Sequence, residues 1–394
     1  MDRSAENPLP DRSPQQCAEE LETFFLEQIV KIRELLDDLP LYDTHMIAFD
    51  RPFSSFDPVT EEDVRKIVLS SKPTNCVLDP FPANILKDYL DTMLPLITRL
   101  INYSLSSTFH SSWKVASVKP LIKKAGLEQV PSNYRPVSNL QYISKLVEKC
   151  ALQQLTKHFD SHRLLPAYQS AYRTSFSTET ALMKLHNDIL SNMEQQKVTA
   201  FVGLDLSAAF DTVNHDVLLS VLRKSFGVKD QALKWIDSYL RPRSFFVQIG
   251  DVKSEQKAVD FSVPQGSILG PVLFNVYSST LSNEVDKHSV SLFGYADDHG
   301  VYKSFFPSGA DQEHESLMEV EHCLNNVYDW MCFNRLKMNA SKTEYILFGS
   351  KQQLAKCKSE SISVVDDVIH KTNLLVCTLM KTCLSNHKLK RSVN

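Results

Sequence analysis

Apolar residues recur at three- and four-residue steps from Cys17 to Leu39, through Leu21, Phe25, Ile29, Ile32 and Leu36. That spacing predicts an amphipathic helix with an acidic outer face. Before it, residues 1–16 hold three prolines and few apolar groups, so they are expected to be disordered. Residues 40–59, with Pro40, Pro52 and Pro58, read as a linker. Thr60 to Asp63 has the capping-box form and predicts a short helix ending near Ser70. Pro82 suits a first helical turn, so a longer helix is expected towards Leu105, interrupted at Pro95. Val115–Lys123 alternates and returns through Tyr134–Leu140, the pattern of a strand hairpin. Helices are predicted at 143–159 and 178–195, and the β-branched, aromatic run Val198–Leu206 reads as a buried strand.

Further on, helices are expected at 214–225 and 230–240, and Ser244–Ile249 with Lys257–Val263 reads as a second hairpin. A helix over 266–284 would open at Gly266 and Ser267. Val290–Ala296 and Gly300–Phe305 bracket a tight turn at Asp297 and Asp298. A helix near 313–333 precedes Tyr345–Phe348, read as the last strand. Strands interleave with helices without a repeat, which predicts an α+β fold whose sheet is backed by helices on one face.

Composition narrows the class. The chain has 394 residues, room for two or three domains. Its 43 basic and 47 acidic residues nearly balance, excluding a histone-like tail or a highly charged disordered chain. Only 10 glycines argue against a collagen-like or Rossmann-dominated reading. The charged start and the lack of an apolar run of about 18–20 residues predict a soluble, intracellular chain without a secretory signal. The eight cysteines form no Cys-x-x-Cys pair and read as buried thiols. Charge is uneven, however. Residues 1–65 carry 16 acidic and 6 basic groups, whereas residues 110–175 carry 10 basic and 3 acidic. The basic excess fits a polyanion-binding surface and a merely solvated face equally well.

Three carboxylates stand out by position. Asp205 ends an apolar strand, and Asp297 with Asp298 occupies the turn of an apolar hairpin. A strand-end aspartate is ordinarily a cap or turn former, but two adjacent ones between buried residues repel unless a cation joins them. Oxygen-only ligands select Mg²⁺, or Mn²⁺, over zinc. A pair of such ions is the machinery of in-line phosphoryl transfer. Between the acids, VPQGSILGPVLF (263–274) offers Gln265 and Gly266 just before an expected helix, where turn chemistry alone is the simpler reading.

The ordered set decides. NYRPVSNL (133–140), QSAYRTSFSTETAL (169–182), LDLSAAFDTVNHDVLL (204–219), VPQGSILGP (263–271), YADD (295–298) and NRLKMNASKTEYILFGS (334–350) follow one another, with LDPFPANILK at 78–87. Together they resemble the reverse transcriptase domain of LINE-type (non-LTR) retrotransposons, over roughly residues 75–350. The resemblance implies a right-hand polymerase fold of fingers and an antiparallel palm sheet backed by helices. It also implies RNA-directed DNA synthesis from an RNA template, a DNA primer and deoxynucleotides. Asp205 and Asp297 would bind two Mg²⁺ ions, supported by Asp298, and Lys342 would protonate the leaving pyrophosphate. Phe210 would be the steric gate against a ribose 2′-hydroxyl. Gln265 and Gly266 would line the nucleotide pocket, with Lys124 and Arg135 on the triphosphate and Lys123 a rival for Lys124.

Blocks are expected as a disordered tail (1–16), an acidic helical segment (17–74), fingers with an N-terminal extension (75–200), a palm (201–349) and a tail (350–394). Serine at Ser262 replaces the family's usual glycine, and asparagine at Asn214 its usual aspartate. Back-translating Met380–Lys388 one base earlier gives Asp-Glu-Asn-Leu-Ser-Phe-Lys-Pro-Gln, which resembles the family's continuation. A frameshifted tail and a truncated or absent thumb are therefore expected. The alternative is an inactive remnant that binds nucleic acid without extending primers.

Overall fold

The computed structural model describes residues 8–374 except 43–45, 48, 174, 308, 309 and 366. The expected frameshift at 380–388 lies outside the described residues, as do residues 1–7 of the expected disordered tail. In chain order the helices are α1 (Pro14–Glu34), α2 (Glu61–Ser70), α3 (Ala83–Asp88), α4 (Leu90–Ser106), α5 (Tyr142–Ser161) and α6 (Thr178–Glu194). They continue with α7 (His215–Ser225), α8 (Asp230–Leu240), α9 (Gly270–Ser278), α10 (Ser282–Val285), α11 (Ala310–Phe333) and α12 (Lys351–Leu354). The strands are β1 (Val115–Ile122), β2 (Tyr134–Asn139), β3 (Val198–Leu204), β4 (Leu206–Ser207), β5 (Arg243–Ile249), β6 (Val252–Lys253) and β7 (Lys257–Val259). The rest are β8 (Ser291–Tyr295), β9 (Asp298–Phe305), β10 (Lys337–Met338), β11 (Glu344–Phe348), β12 (Ser361–Val364) and β13 (Asp367–Leu374). No described helix is long and apolar enough to cross a membrane.

The chain divides into two compact units, each gathered from separate stretches of sequence. One gathers 1–38, 43–164 and 210–273, the other 39–42, 165–209 and 274–394. The reason lies in strand pairing. β5 runs parallel to β1, with Val115 opposite Ser244, so a segment expected in the palm block joins the sheet of the finger hairpin.

In the first unit the sheet runs β2-β1-β5-β6, with β7 also on β5. α1 lies on it and buries Cys17, Ala18, Leu21 and Phe25 against Ala116, Val118, Phe245 and Val247. Each such large side chain contributes roughly 1.5–3 kcal/mol by leaving water. The segment before it is ordered where disorder was expected. Ser13 and Gln16 form a reciprocal capping box at the start of α1, Leu9 is buried, and Tyr134 donates its hydroxyl to the Pro8 carbonyl at 2.7 Å. The prolines limit local structure less than this core rewards it.

The helix expected after Pro82 breaks at Tyr89, between α3 and α4, and Pro95 sits inside α4. Pro95 lies in the second turn, beyond the four residues whose N–H groups lack intrahelical partners, so α4 accommodates it at the expense of one backbone bond.

The second unit holds the sheet β12-β13-β11-β3-β9-β8 and the small pair β10-β4. Tyr345–Phe348 is not the last strand: β13 adds to β11 in parallel and β12 pairs with β13. Residues 361–374, expected in a truncated tail, thus extend this sheet. Their alternation is short and flanked by polar residues, so only the open edge of β11 gives them a place. The helix expected over 266–284 begins at Gly270, passes through a 3₁₀ turn at Ser279–Leu281 and ends in α10.

Candidate active site

How one strand ends determines where the carboxylates lie. β3 is buried at most positions because β9 and β11 flank it on both edges. Its last paired residue, Leu204, stands opposite His299 of antiparallel β9. Asp205, one residue further, therefore leaves the sheet at the same end as Asp297 and Asp298. Its backbone is pinned there. The Asn339 N–H donates to the Asp205 carbonyl at 2.8 Å, and β4 then pairs with β10.

The β8–β9 hairpin closes with Tyr295 opposite Asp298, leaving Ala296 and Asp297 as the turn. Ala296 has φ +57°, a left-handed conformation that costs a non-glycine residue roughly 1–2 kcal/mol. Gln169 compensates. Its buried amide accepts from the Ala296 N–H at 2.9 Å and donates to the Ala296 carbonyl at 3.0 Å. This clamp fixes the residue immediately before Asp297. Gln169 opens the block QSAYRTSFSTETAL, and no spacing along the chain links it to the turn.

Two neighbours record the electrostatics. Burial first, then Asp297, Tyr295 and Asp298, push the Tyr172 phenol well above its usual range. Burial pushes His299 down to about 4, so its ring is neutral at physiological pH. Its Nδ1 lies 3.2 Å from the Asp297 carbonyl. The exposed Lys342 ammonium stands 4.0 Å from Asp205 Oδ2, on a 3₁₀ turn at Ala340–Lys342. At that exposure the pair contributes little stability, at most about 1 kcal/mol.

The three aspartates expected at the metal site occupy different places in the backbone. Among the described residues, no three His, Cys, Asp or Glu side chains form a group that could hold an ion. Asp298 is tied into β9 as the ladder partner of Tyr295, whereas Asp297 lies in the turn. What the fold brings to one sheet end is an open carboxylate set rather than a closed cage.

The other expected site residues belong to the first unit. In the finger hairpin Leu121 pairs with Arg135, and the Lys123 N–H donates to the Asn133 carbonyl at 2.8 Å. Lys123 is partly buried and its ammonium donates to the Ser132 carbonyl at 2.7 Å, while Lys124 is exposed in the turn. Phe210 is half-buried, and its carbonyl accepts from Val263 N–H at 2.9 Å.

The loop at 262–266 is held closely. The Gln265 carbonyl accepts from Ser138 N–H at 2.8 Å, and its amide donates to Asp211 Oδ2 at 3.3 Å. Gly266 has φ +110°, and a Cβ there would stand 2.4 Å from the Ser138 carbonyl oxygen. Behind the loop, fully buried Glu148 of α5 accepts through one oxygen, Oε2, from Ile268 N–H (2.8 Å), Leu269 N–H (3.0 Å) and the Tyr239 hydroxyl (3.2 Å). Burial pushes its carboxyl upward, against the pull of those donors and of Arg243. Glu148 and Asp211 were not singled out from sequence, where each reads as an ordinary surface or turn acid.

A sequence profile described as "Reverse transcriptase (RNA-dependent DNA polymerase)" matches residues 122–372, well over half of the chain. This chain belongs to the reverse transcriptase family. Its relatives put it in the LINE-type, non-LTR branch. It is 31% identical over 306 residues to the RNA-directed DNA polymerase from mobile element jockey of Drosophila melanogaster, covering 74% of this chain and 32% of that one. It is 30% identical over 240 residues to the probable RNA-directed DNA polymerase from transposon BS of the same fly, covering 60% and 26%. A third Drosophila melanogaster relative, the probable polymerase from transposon X-element, is 25% identical over 349 residues, covering 85% and 36%. The chain thus spans about a quarter to a third of these curated relatives. Its helices and antiparallel-rich sheets are those of a palm-and-fingers reverse transcriptase.

Both departures from the reverse transcriptase pattern have structural counterparts. Ser262 has φ +91°, a region that glycine enters without strain, so the family's usual glycine fits the backbone found here. Asn214 caps α7, accepting from Asp216 and Val217 N–H groups at 3.0 Å each, a task aspartate performs equally well. Opposite substitutions should therefore have opposite effects. Ser262→Gly is expected to raise the denaturation midpoint, by relieving about 1 kcal/mol, and Gly266→Ala to lower it by about 1–3 kcal/mol. Urea unfolding of the three proteins checks both signs.

Proposed function

We propose that this reverse transcriptase domain synthesises DNA on an RNA template, joining a deoxynucleotide to a primer 3′-hydroxyl. The reading is carried by one observation. The β3–β9 register leaves Asp205, the turn residue Asp297 and the first β9 residue Asp298 at one end of one sheet, with Lys342 4.0 Å from Asp205. Reverse transcriptases are metal-dependent, and the donor set here is all oxygen, which suits a hard divalent cation. Mg²⁺ in particular takes one or two carboxylates and completes its shell with water and substrate phosphates, so an open set fits it better than a cage. When bound, such ions activate the attacking hydroxyl and neutralise charge developing on the transferred phosphate.

The chain's own residues then have these tasks. Asp205 and Asp297 would hold the ions, with Asp298 in support from β9. Lys342 would hand a proton to the departing pyrophosphate as its bond to the α-phosphorus breaks and the 3′-oxygen, its proton passed to water, bonds to that phosphorus. In the other unit Lys124 contributes a point charge and Arg135 a planar donor fork towards triphosphate oxygens. Phe210 supplies an aromatic wall for the sugar, and Gln265 with Gly266 borders the nucleotide. The basic stretch 110–175 contacts the backbone of the template, so binding should weaken with salt.

Primer extension on an RNA template tests the reading. The full chain with Mg²⁺ and deoxynucleotides is expected to extend a DNA primer, to stop when a chelator is added and to resume with excess Mg²⁺. Template-directed extension that continues in chelator would sink it.

A further inference from the structure

Gln265 is held at two points, and only one of them can change. Its carbonyl accepts from Ser138 N–H, which fixes the backbone. Its side-chain Nε2 donates to Asp211 Oδ2 at 3.3 Å, which decides the way the amide faces. The two backbones cannot drift apart, because 210–213 and 262–263 are laced together. Val263 N–H donates to the Phe210 carbonyl at 2.9 Å and Ser262 N–H to the Val213 carbonyl at 3.0 Å. Asp211 and Gln265 also share the wall of a cavity of about 60 Å³, with Ser138, Ser262, Lys114 and Arg243 among its other lining residues.

We propose that Asp211 is a positioning residue that sets which end of the Gln265 amide is presented to the incoming nucleotide. The proposal rests on the reading of Gln265 as a nucleotide contact. An ionised carboxylate only accepts, so it holds the amide NH₂ and leaves Oε1 facing outward. A protonated carboxyl can donate its O–H to Oε1, which turns the NH₂ outward instead. The cavity gives the amide room for that reversal. The same side chain thus offers an acceptor in one state and two donors in the other.

The state changes in an accessible range. Burial pushes the Asp211 carboxyl up to about 7. The charged groups on the same cavity are Lys114, pushed down by burial and by Arg243, and Arg243 itself. On α7, His215 Nε2 pairs with the Ser262 carbonyl at 2.8 Å, and burial pushes this imidazole below its usual range. Asp211→Asn keeps the shape and an acceptor oxygen but cannot titrate, which separates Asp211 from these neighbours.

The test uses the full chain labelled with ¹⁵N-glutamine. The side-chain amide signals of Gln265 are identified by their loss in Gln265→Ala. They are expected to shift with pH, with a midpoint near 7, in the parent and to stay flat in Asp211→Asn. In primer extension the deoxynucleotide KM of the parent should rise about two- to tenfold below that midpoint, the worth of one hydrogen bond, with kcat changing less. Asp211→Asn should lose this pH dependence. Signals that titrate alike in the parent and Asp211→Asn, or do not titrate in the parent, overturn the proposal. Amide titration governed by Asp211 without any effect on KM would retain the coupling and overturn its link to the nucleotide, and with it the assigned role of Gln265.

Discussion

Asp205→Asn and Asp297→Asn are each expected to reduce RNA-templated extension by about a thousandfold or more. The reason is that a bound divalent ion supplies several kcal/mol of charge stabilisation, and each tenfold of rate corresponds to about 1.4 kcal/mol. Asparagine keeps the shape and one oxygen but loses the charge that holds a hard cation. Neither change should alter the fold, because both side chains leave the sheet where it ends and their backbones are held by other bonds. Asp298→Asn should reduce extension less, by about tenfold, since this residue's place in β9 is that of a support. Steady-state extension measured beside circular dichroism decides. Near-parental rates in Asp205→Asn, with the protein folded, would remove the carboxylate pair from the mechanism.

Loss of Glu148 should be the most damaging change to stability. Glu148→Ala strands two backbone donors and the Tyr239 hydroxyl in the interior, and deprives the buried Arg243 of its nearby carboxylate. Each donor left without an acceptor in the interior costs about 1–3 kcal/mol, so the loss should total about 3–5 kcal/mol. Glu148→Gln keeps an acceptor oxygen for the same donors and should cost less than half as much, about 1–2 kcal/mol. Chemical denaturation with a common m-value measures the two. The consequence for chemistry is local, because Ile268 and Leu269 directly follow the Gln265–Ser267 turn. If the alanine and glutamine variants unfold at the same midpoint, the hydrogen bonds to Oε2 contribute nothing and Glu148 is a packing residue only.

Much of the local structure was legible because it is short-range. The capping box at Thr60 and Asp63 forms as its spacing requires, and α2 ends at Ser70. The alternating and apolar runs became β1, β2, β3, β8 and β9 within a residue or two of their expected bounds. The tight turn at YADD follows from apolar arms too close together for any longer connection. What misled was equally specific. Pro95 looked like a helix break, yet the break came at Tyr89. The prolines before α1 looked like disorder, yet Leu9 and Cys17 had a core to enter.

Local pattern sufficed for the family and for the places of three candidate carboxylates, because a strand-end aspartate and a hairpin doublet are written within a few residues of their own strands. It also determined the site's all-oxygen donor character, since side-chain chemistry does not depend on folding. Only tertiary structure decided the partners that lie a hundred or more residues away: Gln169 clamping the Ala296 turn, and Glu148 holding Ile268 and Leu269. It likewise joined β5 to β1 and added β13 to β11. These contacts depend on where sheet edges and buried donors meet in space, and a pattern confined to near neighbours along the chain carries no record of that meeting.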